Sequence, residues 1–277
     1  MKKGIIRYDL ITGFRNNLSK IIVFFVMITL INIIACTNIG DIESTYGIKA
    51  TVTDYFCVII GGPKYIFEGA LETYQIPVLW LLPQIMISYI VGYYAMTDID
   101  KEGVQMLVRA NTRRKWWISK CIWNGTMIIF LYLVMYGVTF VNALANEAEM
   151  KYDFTQEVIN NLCEIYSVTG SKTEVILTLI FMPLLVSITL NMMQMTIALI
   201  FSPIVGFICS QSIVFLSTII TNKWLISNYG MLSHSKLTCM SDIVLKEGII
   251  RCVVLYAIAV FVGNVYFRRY DVVVRGE

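Results

Sequence analysis

Six long apolar runs in this sequence restrict its fold more than any other feature, because they predict segments that lie in lipid. A helix that crosses a hydrocarbon core of roughly 30 Å needs about 20 apolar residues, and the runs are close to that length. Charged residues make up 15% of the chain and hydrophobic residues 57%, whereas soluble domains carry about 25% charged residues. The sequence therefore predicts one all-α integral membrane domain over residues 1–277. The predicted spans are Ile21–Ile39, Ile76–Met96, Ile118–Leu144, Val175–Phe201, Pro203–Ile220 and Ile249–Phe267.

The fourth and fifth runs are separated only by Ser202, so one kinked helix over residues 175–220 is a competing interpretation. At 1.5 Å per residue that helix would be about 69 Å long, far more than a bilayer requires. We therefore expect two helices joined by a tight turn at Ser202 and Pro203.

Basic residues sort the predicted loops by side. With six spans both termini lie on one side, which carries thirteen Lys and Arg residues, and the opposite side carries seven over much longer loops. The positive-inside rule then predicts that both termini are cytoplasmic. The thirteen are Lys2, Lys3, Arg7, Arg15, Lys20, Lys101, Arg109, Arg113, Arg114, Lys115, Arg268, Arg269 and Arg275; the seven are Lys49, Lys64, Lys151, Lys172, Lys223, Lys236 and Lys246.

Residues 1–20 predict an interfacial helix that lies along the membrane surface. Apolar residues recur at intervals of four, with polar residues on the opposite side. The apolar positions are Ile6, Leu10, Phe14 and Leu18, and the polar positions are Asp9, Asn16 and Lys20. A disordered basic tail is the alternative.

The seven cysteines are scattered without a CxxC spacing, so the sequence indicates neither a metal site nor a disulfide framework. Cys57, Cys163 and Cys239 fall in predicted outer loops, which leaves a disulfide between two of them open. These loops, at 40–75, 145–174 and 221–248, are long and contain aromatic residues. We expect them to pack on one another.

The predicted spans carry no Asp, Glu, His, Lys or Arg near the middle of the membrane. Lys120 and Arg251 lie near span ends, where their side chains can reach the headgroups. Carriers driven by an ion gradient normally keep ionisable residues within their spans. The sequence therefore argues against such a carrier and for energy supplied from elsewhere.

A few amide side chains lie within the spans. Asn191 and Gln194 share one helix face in a methionine-rich stretch that includes Met195, and such a surface suits a large amphiphilic substrate. Together with Gln84 these residues are candidates for the substrate path. The alternative is that the amides hydrogen-bond neighbouring helices.

The chain has no phosphate-binding loop, and its single histidine, His234, makes a zinc protease site or a catalytic triad a poor interpretation. We therefore expect a non-enzymatic chain without a metal site. The formal net charge of +3 is too small to indicate nucleic acid binding.

Residues 98–117, between the second and third spans, place acidic residues before basic ones. On a helix this order complements the dipole, and Val104, Leu107 and Val108 would form a short apolar stripe. The pattern predicts a cytoplasmic helix that docks into a partner. A basic anchor that contacts anionic lipid is the alternative for Arg109, Arg113, Arg114 and Lys115.

In this segment the sequence resembles the type-2 ATP-binding cassette exporter permeases. Their first cytoplasmic loop carries an acid and glycine, then a leucine, an arginine, a second arginine, and a lysine that opens the third span. The matching residues here are Glu102, Gly103, Leu107, Arg109, Arg113, Trp116 and Lys120. The aromatic-Arg-Arg-x-Asp ending at 267–271 extends the resemblance. Ala110-Asn111-Thr112-Arg113 stands in place of the commoner Pro-x-Ser-Arg, which leaves the subfamily open.

The resemblance implies a permease subunit in a bacterial cytoplasmic membrane. It implies that the segment docks on a separate ATPase subunit through Glu102, Gly103, Val104, Leu107, Val108, Arg109 and Arg113. It also implies that ATP and Mg bind to that partner, that this chain holds no cofactor, and that two permeases pair around a path for a peptide, lipid-linked molecule or hydrophobic drug. A membrane immunity or assembly protein that binds through its outer loops is the rival from another class.

Overall fold

The computed structural model describes residues 3–65, 75–94, 113–239 and 241–269, and within them the fold is helical without a β-strand. Two 3₁₀ turns, at Ile226–Gly230 and Leu232–His234, follow the eighth helix. The helices are α1 (Lys3–Asn16), α2 (Leu18–Tyr46), α3 (Val52–Ile60), α4 (Val78–Gly92), α5 (Arg113–Ala145), α6 (Gln156–Cys163), α7 (Lys172–Ile200), α8 (Pro203–Ile219) and α9 (Leu245–Arg269).

Four of these helices, α2, α5, α7 and α9, are long and apolar enough to cross a membrane. Helices α4 and α8 are also apolar but have 15 and 17 residues. Large apolar side chains such as Val141 and Phe261 remain exposed on the long helices, as expected for surfaces that face lipid rather than water. The protein is therefore an all-helical membrane protein, as predicted.

The fourth and fifth apolar runs form two helices. Helix α7 ends at Ile200, and Ser202 caps α8 by accepting a hydrogen bond from the Val205 amide at 3.3 Å. Gly206 then lies against the backbone of Gln194, so α8 folds back along α7. The single kinked helix is excluded.

Helix α7 contains a π-helical turn at Leu177–Phe181, and Pro183 follows two residues after its end. The Tyr136 hydroxyl donates to the Ile180 carbonyl at 2.6 Å, and the Tyr132 hydroxyl donates to the Pro183 carbonyl at 3.0 Å. These bonds from α5 satisfy carbonyls in the irregular stretch, which is how helices in lipid tolerate a proline.

The predicted outer loops pack on one another, as expected, and we call residues 47–65, 146–171 and 220–239 the loop layer. Thr51 pairs with Glu149 in an isolated parallel bridge. The Ser233 amide donates to the Gly61 carbonyl at 3.0 Å, and the Thr169 amide donates to the Leu237 carbonyl at 2.7 Å. Segments that follow α2, α5 and α8 therefore lie at one end of the molecule.

Asp54 and His234 are buried ionisable groups of this layer. Burial raises the pKa of Asp54, although its carboxylate caps α3 and accepts a hydrogen bond from the Thr155 amide at 3.0 Å. Burial lowers the pKa of His234 to about 4, partly opposed by the backbone of Lys64. His234 is therefore neutral at physiological pH.

Helix α1 forms as predicted, but its buried face differs. Asp9 of α1 is 2% exposed, whereas Leu18, which the sequence places on the apolar face, lies at the start of α2 and is 57% exposed. The assignment of Asp9 to a polar outer face was therefore wrong, because α1 packs against α5. Gly13 permits the contact: a Cβ there would lie 1.9 Å from Nε1 of Trp123.

Candidate functional site

Most of the predicted docking segment lies outside the described residues. Glu102, Gly103, Val104, Leu107, Val108 and Arg109 all fall there, and their docking role stays a prediction. Arg113, the first described residue of the segment, donates from Nη1 to the Arg268 carbonyl at 3.1 Å. This hydrogen bond joins the segment to the end of α9 at the point where the segment continues into α5.

A buried ion pair lies next to both ends of this segment. Lys120 Nζ lies 2.7 Å from Oδ1 of Asp9, with the two side chains 0% and 3% exposed. The Ser119 hydroxyl donates to the second Asp9 oxygen, and the Tyr94 hydroxyl donates to the Asp9 carbonyl at 3.3 Å. The expectation that Lys120 reaches the headgroups was wrong, because a carboxylate from α1 meets it inside the protein.

Aromatic rings enclose the ion pair. Lys120 Nζ lies 4.6 Å from the ring centroid of Tyr94 and 5.0 Å from that of Trp116. Tyr94 stacks on Trp123 with centroids 3.9 Å apart, and Trp116 stacks on Phe267 at 4.5 Å. The cation therefore has both a carboxylate and two ring faces as partners, which offsets the cost of burying it.

Close approach of α9 completes the arrangement. Trp117 Nε1 donates to the Val260 carbonyl at 3.0 Å, and a Cβ on Gly263 would lie 2.0 Å from the Trp117 ring. We call the set Asp9, Tyr94, Arg113, Trp116, Trp117, Lys120 and Phe267 the helix-end junction. It joins α1, α4, α5 and α9 directly beside both ends of residues 95–112.

Sequence reasoning missed Asp9 and Tyr94 as members of this junction. A lysine within an apolar run signals a buried partner, and the predicted amino-terminal helix supplied an acid in Asp9. The periodicity of α1 alone favoured its apolar face, so this signal was overlooked.

The substrate-path candidates on α7 come together with Asn124 of α5. Asn191, Gln194 and Met195 are all buried. Asn124 Nδ2 donates to the Asn191 carbonyl at 3.4 Å, and Gln194 Nε2 donates to the Ser88 carbonyl of α4 at 3.1 Å. These bonds between helices are the kind that the alternative interpretation expects, and a role on the path stays a prediction.

The cluster retains unused acceptors. Within the described part of the chain, the amide oxygens of Asn124, Asn191 and Gln194 are buried without a hydrogen-bond partner. Gln84 donates to the Tyr132 hydroxyl at 3.3 Å. Buried amide oxygens of this kind accept hydrogen bonds from water or from a polar group that enters between the helices.

An apolar cavity of about 220 Å³ opens beside the loop layer. Phe56 of α3, Phe140 of α5 and Leu179 of the π-helical turn line it, with Lys151 and Tyr152 among the remaining lining residues. Its chemistry suits an aliphatic or aromatic group. Among the described residues no cluster of three His, Cys, Asp or Glu side chains could hold a metal ion.

Comparison with known proteins gives one family. A family model described as "Protein of unknown function (DUF2705)" matches residues 49–273. No curated protein matches the chain, and no solved structure matches it. The family match covers α3 to α9, most of the chain, and the protein belongs to the DUF2705 family.

Proposed function

We propose that this protein is the membrane-spanning permease subunit of an ATP-driven exporter of the ATP-binding cassette class. In this proposal it crosses a bacterial cytoplasmic membrane six times with both termini in the cytoplasm. A second permease and two ATPase subunits complete the transporter. ATP and Mg bind to the ATPases, and this chain carries out no hydrolysis.

The observation that carries the proposal is the helix-end junction. Residues 98–117 resemble the ATPase-docking loop of such permeases, and the junction includes the last residues of that loop, Arg113, Trp116 and Trp117. Tyr94 precedes the loop and contacts Asp9, whereas Arg113, in the last part of the loop, contacts Arg268. A displacement of the loop would therefore be passed to four helices at once.

Contacts within the loop layer support six crossings. Thr51 follows α2 and Glu149 follows α5, yet the two residues pair. With α2 and α5 as spans, this pairing favours a return crossing between them. Helix α4 is the apolar helix available for that return. By the same argument Thr169, before α7, contacts Leu237, after α8, which favours a crossing by α8.

The interior of the described spans supports an amphiphilic substrate. The cluster around Asn191 and Gln194 offers amide oxygens without charge, and the apolar cavity near Phe140 lies toward the end that we place outside. A peptide, lipid-linked molecule or hydrophobic drug has both kinds of surface. Opening of α7 against α4 and α5 would expose the amides to such a molecule.

The packed loop layer favours a second candidate. A membrane immunity or assembly protein would bind its partner through an ordered outer surface of this kind and would need no ATPase. A gradient-driven carrier has less support, because it normally uses ionisable residues within its spans.

The decisive experiment isolates the tagged chain from its own membranes in mild detergent and measures the recovery of an ATPase subunit with Walker motifs. Leu107→Asp should lower that recovery by more than about tenfold, because burying an unpaired carboxylate costs more than about 1.4 kcal/mol. Leu107→Met is the matched control and should retain the ATPase.

A further control separates docking from lipid anchoring. Neutralising Arg113, Arg114 and Lys115 together should alter membrane content if these residues are only an anchor, at about 1 kcal/mol per basic residue near an anionic surface. Undiminished ATPase recovery with Leu107→Asp, or no ATPase with the unmodified chain, would contradict the proposal.

A further inference from the structure

Two of the seven cysteines lie in contact within the loop layer. The sulfurs of Cys57, in α3, and Cys163, at the end of α6, are 3.8 Å apart as free thiols. Their residues are 0% and 7% exposed, and 106 positions of sequence separate them. The fold therefore brings together one specific pair among the three cysteines that the sequence places in outer loops.

The surrounding contacts hold the two cysteines in place. Both belong to an apolar cluster that includes Ile159 and Leu232. On one side of the pair Lys64 Nζ lies 2.8 Å from a carboxylate oxygen of Glu164. On the other side the Asp54 carboxylate, in α3, accepts a hydrogen bond from the Thr155 amide just before α6. Because α3 and α6 are fixed on both sides, the sulfurs meet as a result of folding and not by chance encounter.

We propose that Cys57 and Cys163 form a disulfide in the mature protein. A disulfide requires sulfurs about 2.05 Å apart, so the present distance must close by roughly 1.8 Å, within the reach of side-chain rotation. Each thiol loses its proton, the two sulfurs bond, and two electrons pass to an external disulfide oxidant, which is reduced to two thiols. The oxidant is a thiol–disulfide oxidoreductase or a small disulfide in the outer compartment.

The inference rests on the orientation in the proposed function, since disulfides persist outside the cytoplasm, but not on docking of an ATPase. The hydrogen bond with Cys163, together with burial, raises the pKa of the Cys57 thiol well above its usual range. Because the thiolate is the attacking species, exchange is slow once the layer has closed. Oxidation therefore accompanies folding, and burial then protects the bond from reduction.

The test counts thiols in protein from native membranes. Free thiols are blocked with N-ethylmaleimide in denaturant, disulfides are then reduced, and the released thiols are tagged with a polyethylene glycol maleimide. The unmodified chain should gain two tags, and peptide mass spectrometry without reduction should show Cys57 linked to Cys163. Because all labelling is done in denaturant, the count does not depend on how any variant folds.

Matched variants identify the pair. Cys57→Ser and Cys163→Ser should each gain no tags, whereas Cys239→Ser, in the same layer, should still gain two. An unmodified chain that gains no tags would overturn the inference, and so would a linked peptide that contains Cys239. An impermeant label on a cysteine placed at Trp224 distinguishes the cause: labelling from outside means that only the disulfide fails, and its absence means that the orientation fails too.

Discussion

Asp9 and Lys120 form an ion pair that is costly to bury and costly to break. Each charge leaves water to enter the helix-end junction, and their attraction repays that loss only because Ser119, Tyr94 and Trp116 supply further contacts. Removing one partner takes away the counter-ion that the other meets at 2.7 Å inside the protein. The pair therefore specifies how α1 docks on α5 more than it adds stability.

Breaking the pair tests this view. Asp9→Asn or Lys120→Met alone should lower the free energy of unfolding by about 3–5 kcal/mol, measured by denaturant titration in detergent. The double variant should lose less than the sum of the two, since it removes both charges of the pair together. Asp153→Asn is the control: it removes the exposed pair with Lys172 and should change stability by less than about 1 kcal/mol. Additive single effects would refute the coupling.

Both members of this pair were noted in the sequence, but the contact between their side chains was not predicted. Lys120 stood out as an ionisable residue in an apolar run, and Asp9 as an acid on a short helix, 111 positions away. Hydrophobic periodicity describes one helix at a time and carries no information about which helix lies beside it. Packing between the two helices, such as Gly13 on Trp123 and Phe14 on Phe130, selects the partner.

At the level of elements, glycines set the distances between helices. Gly206 brings α8 against α7 so closely that a Cβ would lie 2.6 Å from the Gln194 carbonyl oxygen. On the other side of α7 a Cβ at Gly92 of α4 would meet the Gln194 side chain at 1.8 Å. Close backbone approach at small residues is a common basis for helix packing in lipid. Helices α4 and α8 thus hold Gln194 between them.

Gly206→Ala should therefore separate α7 from α8. The new methyl group meets backbone, which cannot rotate away, and overpacking of this kind costs about 1–3 kcal/mol. Gly137→Ala in α5 is the matched control, since a Cβ there meets nothing within 4 Å, and it should be neutral or stabilising by up to about 1 kcal/mol. Thermal unfolding of both variants in detergent makes the comparison, and equal midpoints would disprove the close-packing account.

Apolar runs predicted most of these elements but not their ends. Helix α2 continues to Tyr46, beyond the predicted end at Ile39, because Asp41 and Glu43 lower hydropathy without interrupting a helix. Helix α4 begins at Val78, after Pro77. The glycine contacts were not predictable, because a glycine in an apolar run looks the same whether a neighbour or open space lies beside it.

For the whole molecule, the two ends have different tasks in the proposed transporter. The helix-end junction would receive motion from the ATPases, while the loop layer, closed by contacts such as Thr51 with Glu149, would hold the outer ends of the spans together. Helices α4 and α8 are about 22 and 25 Å long at 1.5 Å per residue, short of a core of roughly 30 Å. Whether these two cross the membrane decides the topology.

Four single cysteines on a cysteine-free background separate six crossings from four. Gly4, Tyr152 and Trp224 serve as sites in the described residues, where the latter two are 74% and 78% exposed, and Asn111 lies in the proposed docking loop. With six crossings an impermeant thiol reagent applied to intact cells should label positions 152 and 224 but not 4 and 111. If α4 and α8 stay on one side, position 111 becomes outer and position 152 becomes inner, so those two labels exchange.

Permeabilised cells provide the control, because all four positions should then label. An exchange of the labels at 111 and 152 would remove the basis for ATPase docking, since the loop that resembles the docking segment would lie outside the cell.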